Sequence, residues 1–105
     1  MYTLDTSVIN FHNIIHNEMC NNGWNSTTKE NGTKENSTKY IYKHYNVNAF
    51  DEFIFDYTSN NEVEITVPIP FQNSSMAYRN IFSIKNVESI YNYIKIHLSN
   101  QPTNL

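Results

Sequence analysis

Glu62-Val63-Glu64-Ile65-Thr66-Val67-Pro68-Ile69 (EVEITVPI) alternates charged or polar residues with apolar ones until its proline. A period of two belongs to a β-strand with one buried face. Val63, Ile65, Val67 and Ile69 then face a core, and Glu62, Glu64, Thr66 and Pro68 face away. Pro68 and Pro70 lie two apart, so both lack a donor on the same side, and this strand must end unpaired on one side or bulged. Just upstream, Glu52 to Thr58 (EFIFDYT) places Phe53, Phe55 and Tyr57 on one face and Ile54, Asp56 and Thr58 on the other. Tyr40 to Asn46 (YIYKHYN) is aromatic and β-branched, and Met76 to Ile84 (MAYRNIFSI) is a less regular fourth run. The turn signals Ser59-Asn60-Asn61 and Gln72-Asn73-Ser74-Ser75 make hairpins the expected connections.

Two helical patterns flank these strands. Asp5, Thr6 and Ser7 offer N-cap side chains. Val8, Phe11, Ile15 and Met19 then recur at helical spacing, Ile9 and Ile14 widen the stripe, and Asn21-Asn22-Gly23 ends it. Near the other end Asn86 offers a cap, Val87, Ile90, Tyr91, Ile94 and Leu98 form a stripe, and Asn100 and Pro102 stop it. Between Trp24 and Lys39 no apolar period exists. TKENG (28–32) repeats as TKENS (33–37) and begins again with Thr38-Lys39, a pattern that replication slippage produces. A polar tract of this kind buries too little to offset its ordering entropy. The expectation is a single α+β domain over 1–105. It is a two-layer sandwich of helix, four-stranded antiparallel sheet and helix (αββββα), with a mobile loop at 24–39 and a frayed tail at 100–105.

Composition bounds function. The chain has 105 residues and a formal charge of −3, with seven Lys+Arg against ten Asp+Glu. Phosphate neutralisation needs clustered cations, so a nucleic-acid partner is not expected. Eighteen Asn and twelve Ile, set against eight Ala, Gly, Arg and Pro together, reflect A/T-rich codons. The single cysteine, Cys20, permits no intramolecular disulfide and no multi-cysteine zinc site. The first residues have no basic segment leading into a continuous apolar run, and no stretch is long enough to span a bilayer. The expected setting is the cytoplasm (host cytoplasm or virion if the chain is viral), with no membrane partner.

Few residues suggest chemistry. His12, His16 and Cys20 stand at i, i+4 and i+8 on one flank of the first helix, where a metal could be held with His44 or His97. The adjacent Glu of the metalloprotease helix is missing, so neither a metal nor a cofactor is expected. Cys20 ends a helix, where the dipole disfavours a thiolate nucleophile. Asp51, Glu52, Asp56, Glu62 and Glu64 alternate with core residues, the pattern of a solvated sheet face. Two glycines, Gly23 and Gly32, exclude a Gly-rich phosphate loop. Asn25-Ser26-Thr27, Asn31-Gly32-Thr33, Asn36-Ser37-Thr38 and Asn73-Ser74-Ser75 match the glycosylation acceptor, but an Asn-, Ser- and Thr-rich chain produces such triplets by chance.

The helix–strands–helix order resembles that of double-stranded RNA-binding domains, whose last helix opens with a lysine cluster; here IKNVESIYNYIKIHL carries Lys85 and Lys95. FSIKNVESIYNYIKIHL is similar to the end of the larger Alu-binding subunit of the signal recognition particle. EVEITVPIP resembles the third strand of RWD and ubiquitin-conjugating-like domains. In composition and repeat the chain resembles small proteins of giant nucleocytoplasmic DNA viruses with AT-rich genomes. The first two resemblances imply an RNA-binding module with a basic stripe from Lys39, Lys43, Arg79, Lys85 and Lys95. The residues themselves favour a non-catalytic accessory protein, not an enzyme, acting through a protein partner or self-association, and the last resemblance implies that it is virus-encoded. Its expected contact points are Tyr40, Tyr42, Tyr93 and the sheet edge at Pro68 and Pro70.

Overall fold

The computed structural model describes residues 6–32, 35–44, 51–58, 61–70 and 77–101. Its elements are α1 (Thr6–Asn21), β1 (Ser26–Asn31), β2 (Thr38–Lys43), β3 (Phe53–Tyr57), β4 (Glu62–Pro68), β5 (Ala77–Ser83) and α2 (Val87–Ser99). The strands form one antiparallel meander in the order β1-β2-β3-β4-β5. The class is α+β, as expected, with five strands where four were expected.

The additional strand lies inside the tract expected to be a mobile loop. All six residues of β1 are exposed, so no hydrophobic period marks it. It is held by its ladder to β2, from Ser26↔Lys43 to Asn31↔Thr38. Cross-strand pairs assist. Glu30 lies opposite Lys39, and their side chains form an ion pair at 3.2 Å. Lys29 lies opposite Tyr40, its ammonium 5.7 Å from the ring centre. Charged residues on such an edge also discourage pairing with other chains. The repeat therefore takes two conformations. TKENG forms β1 and its end, while in TKENS Asn36 takes a left-handed φ of 56° and the Gly32 N–H donates to the Ser37 carbonyl at 3.0 Å.

Helix α1 ends as the sequence predicts. Gly23 has φ 87°, its N–H donates to the Cys20 carbonyl, and the Trp24 N–H donates to the Met19 carbonyl, each at 3.0 Å. This pair of bonds is the Schellman closure, and it turns Trp24 and Met19, both fully buried, into the core. A Cβ at Gly23 would overlap the His44 ring and force a side chain into the left-handed region. Gly23→Ala should therefore cost about 2 kcal/mol or more in urea unfolding. A cost under about 0.5 kcal/mol would show that His44 yields freely.

Both helices cover the same face of the sheet. Val8, Phe11, Ile15 and Met19 of α1 join Ile90, Ile94 and Leu98 of α2 over Tyr42, Phe53, Phe55, Tyr57, Val63, Ile65 and Val67. The helices touch, and the Tyr91 hydroxyl donates to Glu18 Oε2 at 3.1 Å. On α2, Tyr93 packs on Phe82 and His97 near Tyr78, so this helix lies over the β5 side. The apolar stripes are narrower than their sequences suggest, with Ile9, Ile14 and Val87 exposed. One helix-start expectation changes: Asn86 stands at the N-cap of α2 but makes no side-chain capping bond. The Asp5 cap expected for α1 lies outside the described residues. Gln101, expected to fray, is 7% exposed and donates through Nε2 to the Pro68 carbonyl at 3.0 Å.

Candidate functional site

Among the described residues, two regions hold side chains that carry chemistry, one buried beneath α1 and one on the face of the sheet that the helices leave uncovered.

Beneath α1, the helical spacing of His12, His16 and Cys20 meets the alternate side chains of β2 and β3. His12 Nδ1 lies 2.5 Å from the Tyr57 hydroxyl, and Nε2 lies 2.7 Å from the Tyr42 hydroxyl. His16 Nδ1 lies 2.9 Å from the same Tyr42 oxygen, and its Nε2 lies 3.5 Å from Cys20 Sγ. Tyr40 stacks on His12 with ring centres 3.9 Å apart. The chain Tyr57–His12–Tyr42–His16–Cys20 has a preferred polarity. If Tyr57 donates to His12, then His12 donates to Tyr42, Tyr42 to His16, and His16 to the sulfur, and every hydroxyl hydrogen has an acceptor. The opposite polarity leaves the buried Tyr57 hydrogen without one among the described residues, at a cost of about 1–3 kcal/mol.

Burial sets the protonation states. Desolvation first, then the neighbouring charges of His16 and Lys29, together lower the His12 pKa to about 3. Desolvation likewise raises the hydroxyls of Tyr42 and Tyr57 above the usual phenol range. At neutral pH the imidazole of His12 and both phenols are therefore uncharged. His12, Tyr42 and Tyr57 are 3%, 0% and 1% exposed, so no substrate reaches them, and the chain works as a satisfied polar network inside the core. His16 and Cys20 are half-buried at its outer end. Among the described residues no three His, Cys, Asp or Glu side chains are placed to hold a metal ion. The three helix residues instead run in a line, His12 and His16 bridged by the Tyr42 hydroxyl and His16 bonded to the Cys20 sulfur.

The second region is the sheet face that neither helix covers. The registers order it into cross-strand rows. One row reads Thr28, Ile41, Ile54, Thr66, Arg79, and the next reads Glu30, Lys39, Asp56, Glu64, Ile81. Lys39, Ile54, Asp56, Glu64, Thr66 and Arg79 line a hollow of about 360 Å³. Ile41 and Ile54 lie directly opposite one another, and Ile81 on the edge strand is 52% exposed. Lys43 pairs with Glu52 at 3.5 Å. The expectation that these carboxylates are all solvated needs correction, because Asp56 and Asp51 are 4% and 5% exposed. A Cβ at Gly32 would overlap Asp56 Oδ1 and Ser37 Oγ, which places the Asp56 carboxylate beside the β1–β2 turn.

The expected contact residues are scattered. Tyr42 is a fully buried core residue, not an accessible one, because its hydroxyl is drawn between His12 and His16. Tyr40 and Tyr93 are half-buried, packed on His12 and Phe82. Pro68 is buried beneath Gln101, while Pro70 is half-buried. The β3–β4 register stops at Ile54↔Thr66, so Val67 and Pro68 pair with β5 alone, as the missing proline donors require. The cations do not form a stripe. Lys39, Lys43 and Arg79 share the uncovered face with Glu30, Glu52, Glu62 and Glu64, while Lys95 sits on α2 over the Tyr91 ring. Ile41, Ile54 and Tyr57 went unmarked because each reads as an ordinary strand residue. No helix among the described residues is long and apolar enough to cross a membrane. Comparisons with protein-family models, curated proteins and solved structures gave no match to this chain.

Proposed function

We propose that the chain is a small non-catalytic interaction protein that binds another protein through the uncovered face of its sheet. One observation carries the reading: a continuous five-stranded face with an isoleucine pair at its centre, an exposed isoleucine at its edge, and charges of both signs around them. An apolar centre rimmed by polar groups is the anatomy of a protein contact. The His–Tyr chain offers no competing catalytic site, because its central groups are sealed from solvent. The neighbouring carboxylates weaken any attraction of Lys39 and Lys43 for phosphates, so RNA is the less supported partner.

Ile54→Lys tests the reading. It places a charge at the centre of the face without touching the helix-side core, and circular dichroism should remain that of the parent. Chemical cross-linking in cells should join the parent chain to a protein through β2, β3 and β4, with cross-links reduced about tenfold or more in the variant. Cross-links that persist in Ile54→Lys, or that map to the outer faces of α1 and α2, would move the contact elsewhere.

A further inference from the structure

Resting on that contact-face reading, we infer that one occupant of the uncovered face is a second copy of this chain, packed sheet on sheet about a two-fold axis that runs along β3. The ordering of charge by strand carries the inference. On this face β2 presents lysines, Lys39 and Lys43, whereas β4 presents glutamates, Glu62 and Glu64. The strand between them, β3, presents Ile54 and Asp56. Sheets that pack face to face keep their strands within about 30° of one another, so columns of one sheet lie over columns of the next.

Two symmetric arrangements are then open. An axis across the strands lays β2 on β2 and β4 on β4, and sets lysines on lysines and glutamates on glutamates. An axis along β3 lays β2 of each copy on β4 of the other. The ladder then fixes which residues meet. Lys39 is level with Asp56, and Asp56 is level with Glu64, so Lys39 of each copy meets Glu64 of the other. Ile54 lies near the axis and meets its own image, with Ile41 and Thr66 on either side. Lys39 keeps Glu30 at 3.2 Å, so its ammonium bridges two carboxylates. Asp56 also lies near the axis, but its carboxylate is buried against the β1–β2 turn and does not lead with its charge. The strip from β2 to β4 is thus complementary to itself in one orientation, as an isologous interface requires, while the outer strands set Glu30 of each copy beside Ile81 of the other.

Sedimentation velocity over a concentration series tests this. The parent should run at twice the 12.4 kDa of the chain. Lys39→Glu and Glu64→Lys each place like charges in both contacts, and each should weaken self-association at least about tenfold. A 1:1 mixture of the two variants should recover the dimer as a mixed pair, because every contact is again between opposite charges. Moderate salt should weaken the parent and the mixed pair alike. Should either variant fail to fold, Ile54→Cys in a Cys20→Ser background replaces it and should cross-link to itself through a short bis-maleimide. A monomeric parent at high micromolar concentration would overturn the dimer but not the contact-face reading, which the Ile54→Lys cross-linking decides separately. Dimers unaffected by both charge reversals, or variants that fail to pair on mixing, would overturn this arrangement.

Discussion

As the pH falls from 6.5 towards 3 the protein should lose on the order of 4 kcal/mol of stability, with His12 the largest single source. In the unfolded chain His12 titrates near its ordinary value of 6.5, whereas in the fold it stays neutral until about 3. Between those values the unfolded state binds a proton that the native state refuses. Stability is therefore intact above 6.5 and drains away as the solution is acidified through that window. Burial lowers His44 and His97 as well, which adds to the loss, while the raised carboxyl of buried Asp51 opposes it. A domain of this size has about 5–15 kcal/mol in hand, so a loss on this order takes a large share of the margin and should lower the urea midpoint steadily with acidification. Urea unfolding at pH 7, 5.5 and 4.5 measures the slope. His12→Gln keeps a donor and an acceptor between Tyr42 and Tyr57 but cannot titrate, and should flatten most of it. An unchanged slope in that variant would place the proton uptake elsewhere. On the alkaline side the raised phenols of Tyr42 and Tyr57 predict a second loss above pH 10, where the unfolded tyrosines ionise first.

The same network shows what a one-dimensional reading reaches. The spacing of His12, His16 and Cys20 places them on one flank of a helix, and the structure keeps them there. What joins them is Tyr42 and Tyr57, 30 and 45 residues from His12, and no local period encodes a hydrogen bond across that separation. The strands β3 and β4 and both helices were legible because each buries one face, and burial leaves a period of two or near four. Strand β1 buries nothing, so composition predicts a loop where backbone pairing and the Glu30 and Lys29 contacts make a strand. The uncovered face was legible as alternation but not as a surface. Which residues line up across it depends on strand registers, and those are fixed by turns whose geometry, such as left-handed Asn36 and Asn61, is a property of the folded chain.

Trp24 separates the two readings of the tract that follows α1 most sharply. Counted as the start of a mobile loop, it would contribute almost nothing to stability. In the structure it is fully buried by the Schellman turn, with its ring edge-on to Phe53 at 4.7 Å and to His44 at 5.5 Å. Trp24→Ala should therefore cost about 3–5 kcal/mol, the range for a large aromatic removed from a core that closes only partly around the gap. Trp24→Phe should cost much less, about 1 kcal/mol. The indole Nε1 is buried with no hydrogen-bond partner, and its removal relieves a desolvation penalty that offsets much of the lost contact. Since Trp24 is the chain's single tryptophan, its native fluorescence should be blue-shifted and should move red in one step with unfolding. An Ala variant within about 1 kcal/mol of the parent, or red-shifted emission from the native protein, would detach Trp24 from the core. The Schellman turn would then no longer explain how the chain passes from α1 into β1.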